Sequence, residues 1–169
     1  MYIHRLTLLF LSILLSSSVF ALTSDKEQPI QIEADKATID NIKGIAIYKG
    51  NVIVTQGTIR INADKITLNY TKRNDIEKVV AEGKPARFKQ RLDNGEDIKA
   101  KAKEMEYDAI KNMLYLKKNA ELRKSKGRED NYISNAPLIT YDTQRGIFTA
   151  DKGKRKGGRV TMTFKPQKK

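Results

Sequence analysis

The chain has 169 residues, 33 Lys and Arg against 20 Asp and Glu, one His, no Cys and no Trp, for a formal net charge of +13. The inventory excludes a Cys nucleophile and a disulfide framework; with its only histidine at His4 it also leaves no Ser-His-Asp triad and no His/Cys zinc site in the body of the chain. The positive excess favours anionic partners such as phosphates, sugar acids or anionic membrane surfaces, although single lysines on a solvated sheet also discourage edge aggregation.

Residues 1–21 read as a leader. Arg5 precedes the apolar run 6–15, and Val19-Phe20-Ala21 fits a peptidase site with small or aliphatic residues at −3 and −1, so cleavage after Ala21 is expected. The apolar run is shorter than the ~20 residues that a spanning helix needs. Removing the leader leaves 148 residues and a net charge of +12, since only Arg5 is lost (169 − 21 = 148; 13 − 1 = 12). That is the size of one domain, residues 22–169. Within it, 22–28 is too polar to pack and is expected to trail as a flexible lead-in.

From there on, alternation dominates. Ile30/Ile32/Ala34, Ile45/Ile47, Val52/Val54, Ile59/Ile61/Ala63, Ile66/Leu68/Tyr70 and Val160/Met162/Phe164 place apolar side chains two residues apart, with polar neighbours facing the other way. This is the pattern of antiparallel strands with one wet face. Polar breaks separate the runs, and Asp93-Asn94-Gly95 is the strongest hairpin signal. Residues 101–114 could instead form a helix lined by Ala102, Met105, Ala109, Ile110 and Met113; alignment with the repeat below favours strands, with Met105/Tyr107 and Leu114/Leu116 as alternating pairs. Residues 153–159 read as a mobile charged loop and 165–169 as a basic tail.

Four copies of one unit organise these strands. Each opens on a strand running into a small residue and a polar corner, anchored at Ala34, Ala63, Ala102 and Ala136, 29, 39 and 34 residues apart. Each is answered by a polar kink and a second strand, at Gly50-Asn51, Gly83-Lys84, Lys118-Asn119 and Lys152-Gly153. Such periods mark stacked supersecondary units sharing one core. The expected fold is all-β, with two antiparallel sheets stacked as a jelly roll. Its end strands carry Ile30, Ile32 and Ala34 at one margin and Val160, Met162 and Phe164 at the other, and their unpaired backbones invite a neighbour's strand. Carboxylates fall mainly at predicted corners (Asp35, Asp64, Asp93, Asp97, Asp142), where they usually bond their own backbone. A two-carboxylate hydrolase therefore has little support, and no catalytic role is expected.

The run Gly50-Asn-Val-Ile-Val-Thr-Gln-Gly-Thr-Ile-Arg-Ile-Asn-Ala-Asp-Lys65 resembles the signature of the OstA-like family. Shorter matches come in order at Gln28-Pro-Ile-Gln-Ile-Glu-Ala-Asp35, Gly83-Lys-Pro-Ala-Arg-Phe88, Asp93-Asn-Gly95, Met105-Glu-Tyr107, Asn119-Ala120 and Asp151-Lys-Gly-Lys-Arg155. The resemblance implies an open-ended β-jelly roll in the periplasm, stacking head to tail. It also implies carriage of lipopolysaccharide, held by its lipid A, between an inner-membrane extraction complex and an outer-membrane translocon. It implies no cofactor and no nucleic acid, and it places Ile30, Ile32, Phe88 and Tyr107 along the lipid path. The chain is more basic than the family at Lys26, 84–91 and 117–126. Two rival readings are an exported β-scaffold that binds proteins through its edges without lipid, and a polyanion binder; the second lacks an aromatic platform interleaved with Arg.

Overall fold

The computed structural model describes residues 25–127, 129–153 and 157–166. The expected leader and its cleavage after Ala21, residues 22–24 of the lead-in, the centre of the charged loop and the last three residues of the basic tail lie outside them.

A short 3-10 turn at Asp25–Glu27 precedes ten strands. These are β1 (Gln31–Glu33), β2 (Lys36–Asp40), β3 (Ile45–Gln56), β4 (Ile59–Tyr70), β5 (Ile76–Arg91), β6 (Glu96–Asp108), β7 (Met113–Lys126), β8 (Glu129–Asp142), β9 (Ile147–Asp151) and β10 (Thr161–Phe164). Every pairing is antiparallel. The region that could have been helical is the end of β6, the following turn and the start of β7, because Met105 and Leu116 are buried by alternation across the ladder.

The expected pair of sheets is a single sheet of ten strands, ordered β1-β3-β4-β5-β6-β7-β8-β10, with β2 beside β3 and β9 beside β8. Each of β3 to β8 runs through both layers and bends once between them. The bend is built into the ladders: register shifts fall at Lys49/Val52, Asn62/Lys65, Glu82/Ala86, Lys101/Glu104 and Lys117/Ala120. On β3, β5 and β7 the extra residues are the polar kinks of the repeat, and on β4, β6 and β8 they are answered by its alanine anchors. An inserted residue bends and twists a strand. Gly50 and Asn51 (φ 78° and 45°) and Lys118 and Asn119 (φ 64° and 66°) take up that bend in left-handed backbone.

The bend also switches which side chains face inward. On β4 the inward set passes from Ile61 and Ala63 to Ile66 and Leu68, on β6 from Ala100 and Ala102 to Met105, and on β8 from Ala136 to Ile139. A flat strand would put one of these sets in water, since side chains alternate with period two. The corner thus folds two apolar walls onto each other, and the small anchors Ala63, Ala86, Ala102, Ala120 and Ala136, all buried, let the walls converge.

Two expectations are corrected here. The lead-in is held from Asp25 onward: its carboxylate accepts hydrogen bonds from Thr58 N (2.7 Å), Thr58 Oγ1 (2.9 Å) and Gln90 Nε2 (2.9 Å). Charge-assisted bonds to three donors outweigh the polarity of the segment. Asp97 is no corner residue but lies buried on β6, where Arg91 Nε and one terminal guanidinium nitrogen donate to its two oxygens at 2.9 and 3.2 Å. Asp142 does what a corner carboxylate should, accepting from the backbone of Gln144 and Arg145.

Candidate functional site: an apolar trough with two unpaired ends

The cross-strand registers join the candidate residues into rows. On one wall Ile32, Val54, Ile61, Phe88, Ala100, Leu122, Ser134 and Met162 are successive partners from β1 to β10. On the other, Ile39, Ala46, Leu68, Val79, Tyr107, Leu114, Tyr141 and Phe148 run in the same way from β2 to β9. Seven strand spacings of about 4.8 Å make each row roughly 34 Å long. Of these sixteen positions only Ser134 is not hydrophobic.

The rows differ in exposure along their width. Next to the corner, Val52, Ile66, Leu116 and Ile139 are fully buried and close the bottom. Ile32, Ile61, Phe88, Tyr48, Tyr70, Val79, Tyr107 and Phe148 pack against that core yet remain partly accessible. Phe88 and Tyr107, on opposite walls, are therefore inward-facing side chains that an apolar guest can touch without unfolding the sheet. Ser125 and Ser134 are 2% and 1% exposed, and among the described residues their hydroxyls have no hydrogen-bond partner, polar atoms left in an otherwise apolar interior.

Both ends are unpaired. Among the described residues β1 and β2 bond only to β3, and β9 and β10 only to β8. Large apolar side chains crowd these margins: Ile30 (41% exposed) and Ile39 at one, Ile147, Val160, Met162 and Phe164 at the other. Ile30 and Val160 sit just outside β1 and β10, and Ala34 lies in the bend between β1 and β2, so of the six expected edge residues Ile32, Met162 and Phe164 are the ones within edge strands. Phe164 leans on Tyr132 (ring centroids 5.1 Å apart), while Phe148 stacks on Tyr141 at 4.1 Å. Sequence reasoning missed the second pair of edges, β2 and β9. Its signal was present in the alternation of Ala37 with Ile39 and of Phe148 with Ala150.

The outer face of the β2–β9 wall carries a charge network. Lys117 donates to Glu104 (3.2 Å) and Glu106 (2.7 Å), Lys118 to Glu104 (2.7 Å), and Lys78 pairs with Glu106 (3.0 Å). Hydrogen bonds from Lys118 to Glu104 and from Lys117 to Glu106 hold both carboxyls below their usual range, against the cost of partial burial. Such satisfied pairs fix strands; they offer no free acid or base. Among the described residues no group of three His, Cys, Asp or Glu is placed to hold a metal.

Comparison with known proteins agrees with this geometry. The profile of the family described as "LptA/(LptD N-terminal domain) LPS transport protein" matches residues 31–147. The lipopolysaccharide export system protein LptH of Pseudomonas aeruginosa is 35% identical, covering 99% of this chain and 98% of its own. LptA of Escherichia coli K12 is 39% identical, covering 89% and 81%. The crystal structure of Pseudomonas aeruginosa LptH, described as the LptA-homologous periplasmic component of the lipopolysaccharide transport device, superposes with a TM-score of 0.74 at 32% identity, over 85% of this chain and 99% of that one. With its open-ended bent sheet and a match across most of its length, the chain belongs to the LptA/LptD N-terminal domain family of lipopolysaccharide transport proteins.

Proposed function

We propose that this chain is a periplasmic, non-enzymatic bridge that binds lipopolysaccharide by its acyl chains and passes it from the inner to the outer membrane along stacked copies of the roll. The observation that carries the reading is the pair of apolar rows running from one unpaired edge to the other. An acyl chain of about a dozen carbons gains roughly 10 kcal/mol on leaving water, at ~0.8 kcal/mol per CH₂. Lipid A therefore needs an unbroken apolar lining, and a trough unsealed at both ends supplies one that the next domain can extend. Ile32, Phe88 and Tyr107 line the path, with Ile30 at its entrance. The edge strands β1 and β10, through Ile32, Met162 and Phe164, add a neighbour's strand to the sheet, while Ile30, Ala34 and Val160 flank the joint. The family description joins LptA to the N-terminal domain of LptD. The same edge pairing is therefore the expected means of joining the extraction complex at one end and the translocon at the other. The leader directs export and is removed after Ala21.

The test is lipid capture. Photo-crosslinkers at Phe88 and Tyr107 should label lipopolysaccharide, whereas one at Met162 should label a second copy. Ile32→Asp should abolish capture while the circular dichroism melt stays cooperative. Capture unchanged in Ile32→Asp, with only protein crosslinks at Phe88 and Tyr107, would leave a β-scaffold without lipid cargo as the better reading.

A further inference from the structure

The outer faces of the bent sheet hold both paired and unpaired cations. On the β2–β9 wall several lysines meet glutamates, as in Lys65–Glu82 at 2.8 Å and the Lys117 network, while Lys36 stands opposite Lys49 and Lys49 opposite Lys65. On the β1–β10 wall Arg60 stands opposite Lys89, and Lys89 opposite Lys99; one pair further along, Asn62 stands opposite Arg87. Like charges directly opposite each other destabilise a ladder. Arg60, Arg87, Lys89 and Lys99 are all exposed, and none makes an ion pair among the described residues; the same holds for Lys84 and Lys103 at the adjoining corner.

These cations border two grooves. One of about 900 Å³ lies along the outside of the corner, between Lys84, Arg87, Lys101 and Lys103; Asp64 and Glu82 also line it, Glu82 being held by Lys65 at 2.8 Å. The second, of about 590 Å³, lies on the wall among Arg60, Asn62, Arg87, Lys89 and Lys99. Both include Arg87 and Lys101, so they form one cationic strip. At its far margin Glu121 and Asp130 are already engaged, by Lys101 (3.0 Å) and by Arg123 (2.6 and 2.9 Å). The positive field of the strip reaches its neighbours. Asp97, held below the usual carboxylate range first by its bond to Arg91, is lowered further by Lys89 and Lys99.

We propose that this strip, on the side of the sheet turned away from the trough, is a second binding site, for phosphate-bearing saccharides. Arg60 and Arg87 offer planar forks that match phosphate oxygens, the lysines add point charges, and Asn62 can bond a sugar hydroxyl. The occupant is neither a single-stranded nucleic acid nor a bilayer. The strip offers no exposed aromatic ring, since Phe88, which borders the second groove between Arg87 and Lys89, is partly buried and packs against the core, and it has no exposed apolar side chain to insert. The site does not depend on lipid in the trough.

Titration calorimetry of the mature chain with glucose 1,6-bisphosphate, deacylated lipopolysaccharide and phosphatidylglycerol vesicles tests it. Both saccharides should bind, and Lys89→Glu with Lys99→Glu should weaken them about tenfold or more. The same charge change at exposed Lys72 and Lys152 should leave them unaltered. Because Lys89→Glu places an acid opposite Arg60 and Lys99→Glu places one opposite Arg123, against a single new acid–acid pair between the two positions, the variant's melting temperature should stay level or rise, which separates lost binding from lost fold. Binding of deacylated lipopolysaccharide alone would assign the strip to the lipid's headgroup, still through phosphorylated sugar. An equal loss in the Lys72/Lys152 control, binding to vesicles only, or no binding of either saccharide would overturn the site. Acyl-chain capture in the trough, measured in parallel, should be unchanged in every variant.

Discussion

Gly50 shows how much of this fold rests on single positions. Its φ of 78° lies in the left-handed region, and a Cβ there would clash with Asp35 Oδ2, in a side chain that also accepts from Asn51 Nδ2 at 3.0 Å. Gly50→Ala must therefore pay conformational strain and push Asp35 aside, with a loss of about 1–3 kcal/mol in urea unfolding. Charged residues set a second dependence. Glu104 and Glu106 titrate below their unfolded values because lysines bond their ionised forms. Their contribution is complete above the unfolded pKa and disappears as pH falls through the lower folded one. Melting temperature should drop between about pH 5 and pH 3. In Lys117→Gln, which costs about 1 kcal/mol at neutral pH, that drop should be shallower.

At the level of elements the informative feature is the corner. The alanine anchors and polar kinks were legible as a repeat, and the strands between them by alternation. What alternation could not show is that the inward set changes parity across each anchor, from Ala63 to Ile66 and from Ala102 to Met105. Read as one strand, each long run looks like two short ones, which is why two sheets were expected and one bent sheet is found. Asp97 was misread for a related reason: its partner Arg91 is six residues away in sequence but directly opposite across the β5–β6 ladder. Of the proposed path residues, Ile32 was legible from its alternation with Ile30 and Ala34, and Phe88 only through the family resemblance. Their membership of one row was not, because register depends on the bulges. The corner makes a sharp demand on size. Ala102 is fully buried where the walls converge, beside Ala86 across the ladder. Ala102→Leu should cost about 1–3 kcal/mol through overpacking, read as a lower urea midpoint. A methionine swap at buried Leu122, which nearly conserves volume, should cost less than about 1.5 kcal/mol.

Over the whole molecule, among the described residues each strand of the β1–β10 row hydrogen-bonds only to its neighbours in the sheet, so stability approximates a sum of strand-to-strand terms with weak ends. Amide exchange should be slowest in β4 to β7 and fastest in β1 and β10, which have one neighbour each. Those weak ends are also the proposed joints, and they are unlike: β1 with β2 at one margin, β9 with β10 at the other. Unlike edges make a heterologous contact, which propagates instead of closing on a two-fold axis. This gives a test that a simple loss of assembly would not. Proline at Ile32 removes a ladder donor from β1 and leaves the β10 margin intact; proline at Met162 does the reverse. Neither variant should associate alone in sedimentation velocity, yet an equimolar mixture should form dimers and stop there, the intact β1 margin of the Met162→Pro copy joining the intact β10 margin of the Ile32→Pro copy. Dimers of either variant alone would mean that like edges pair, and the lining would then reverse direction at every joint instead of continuing as one path.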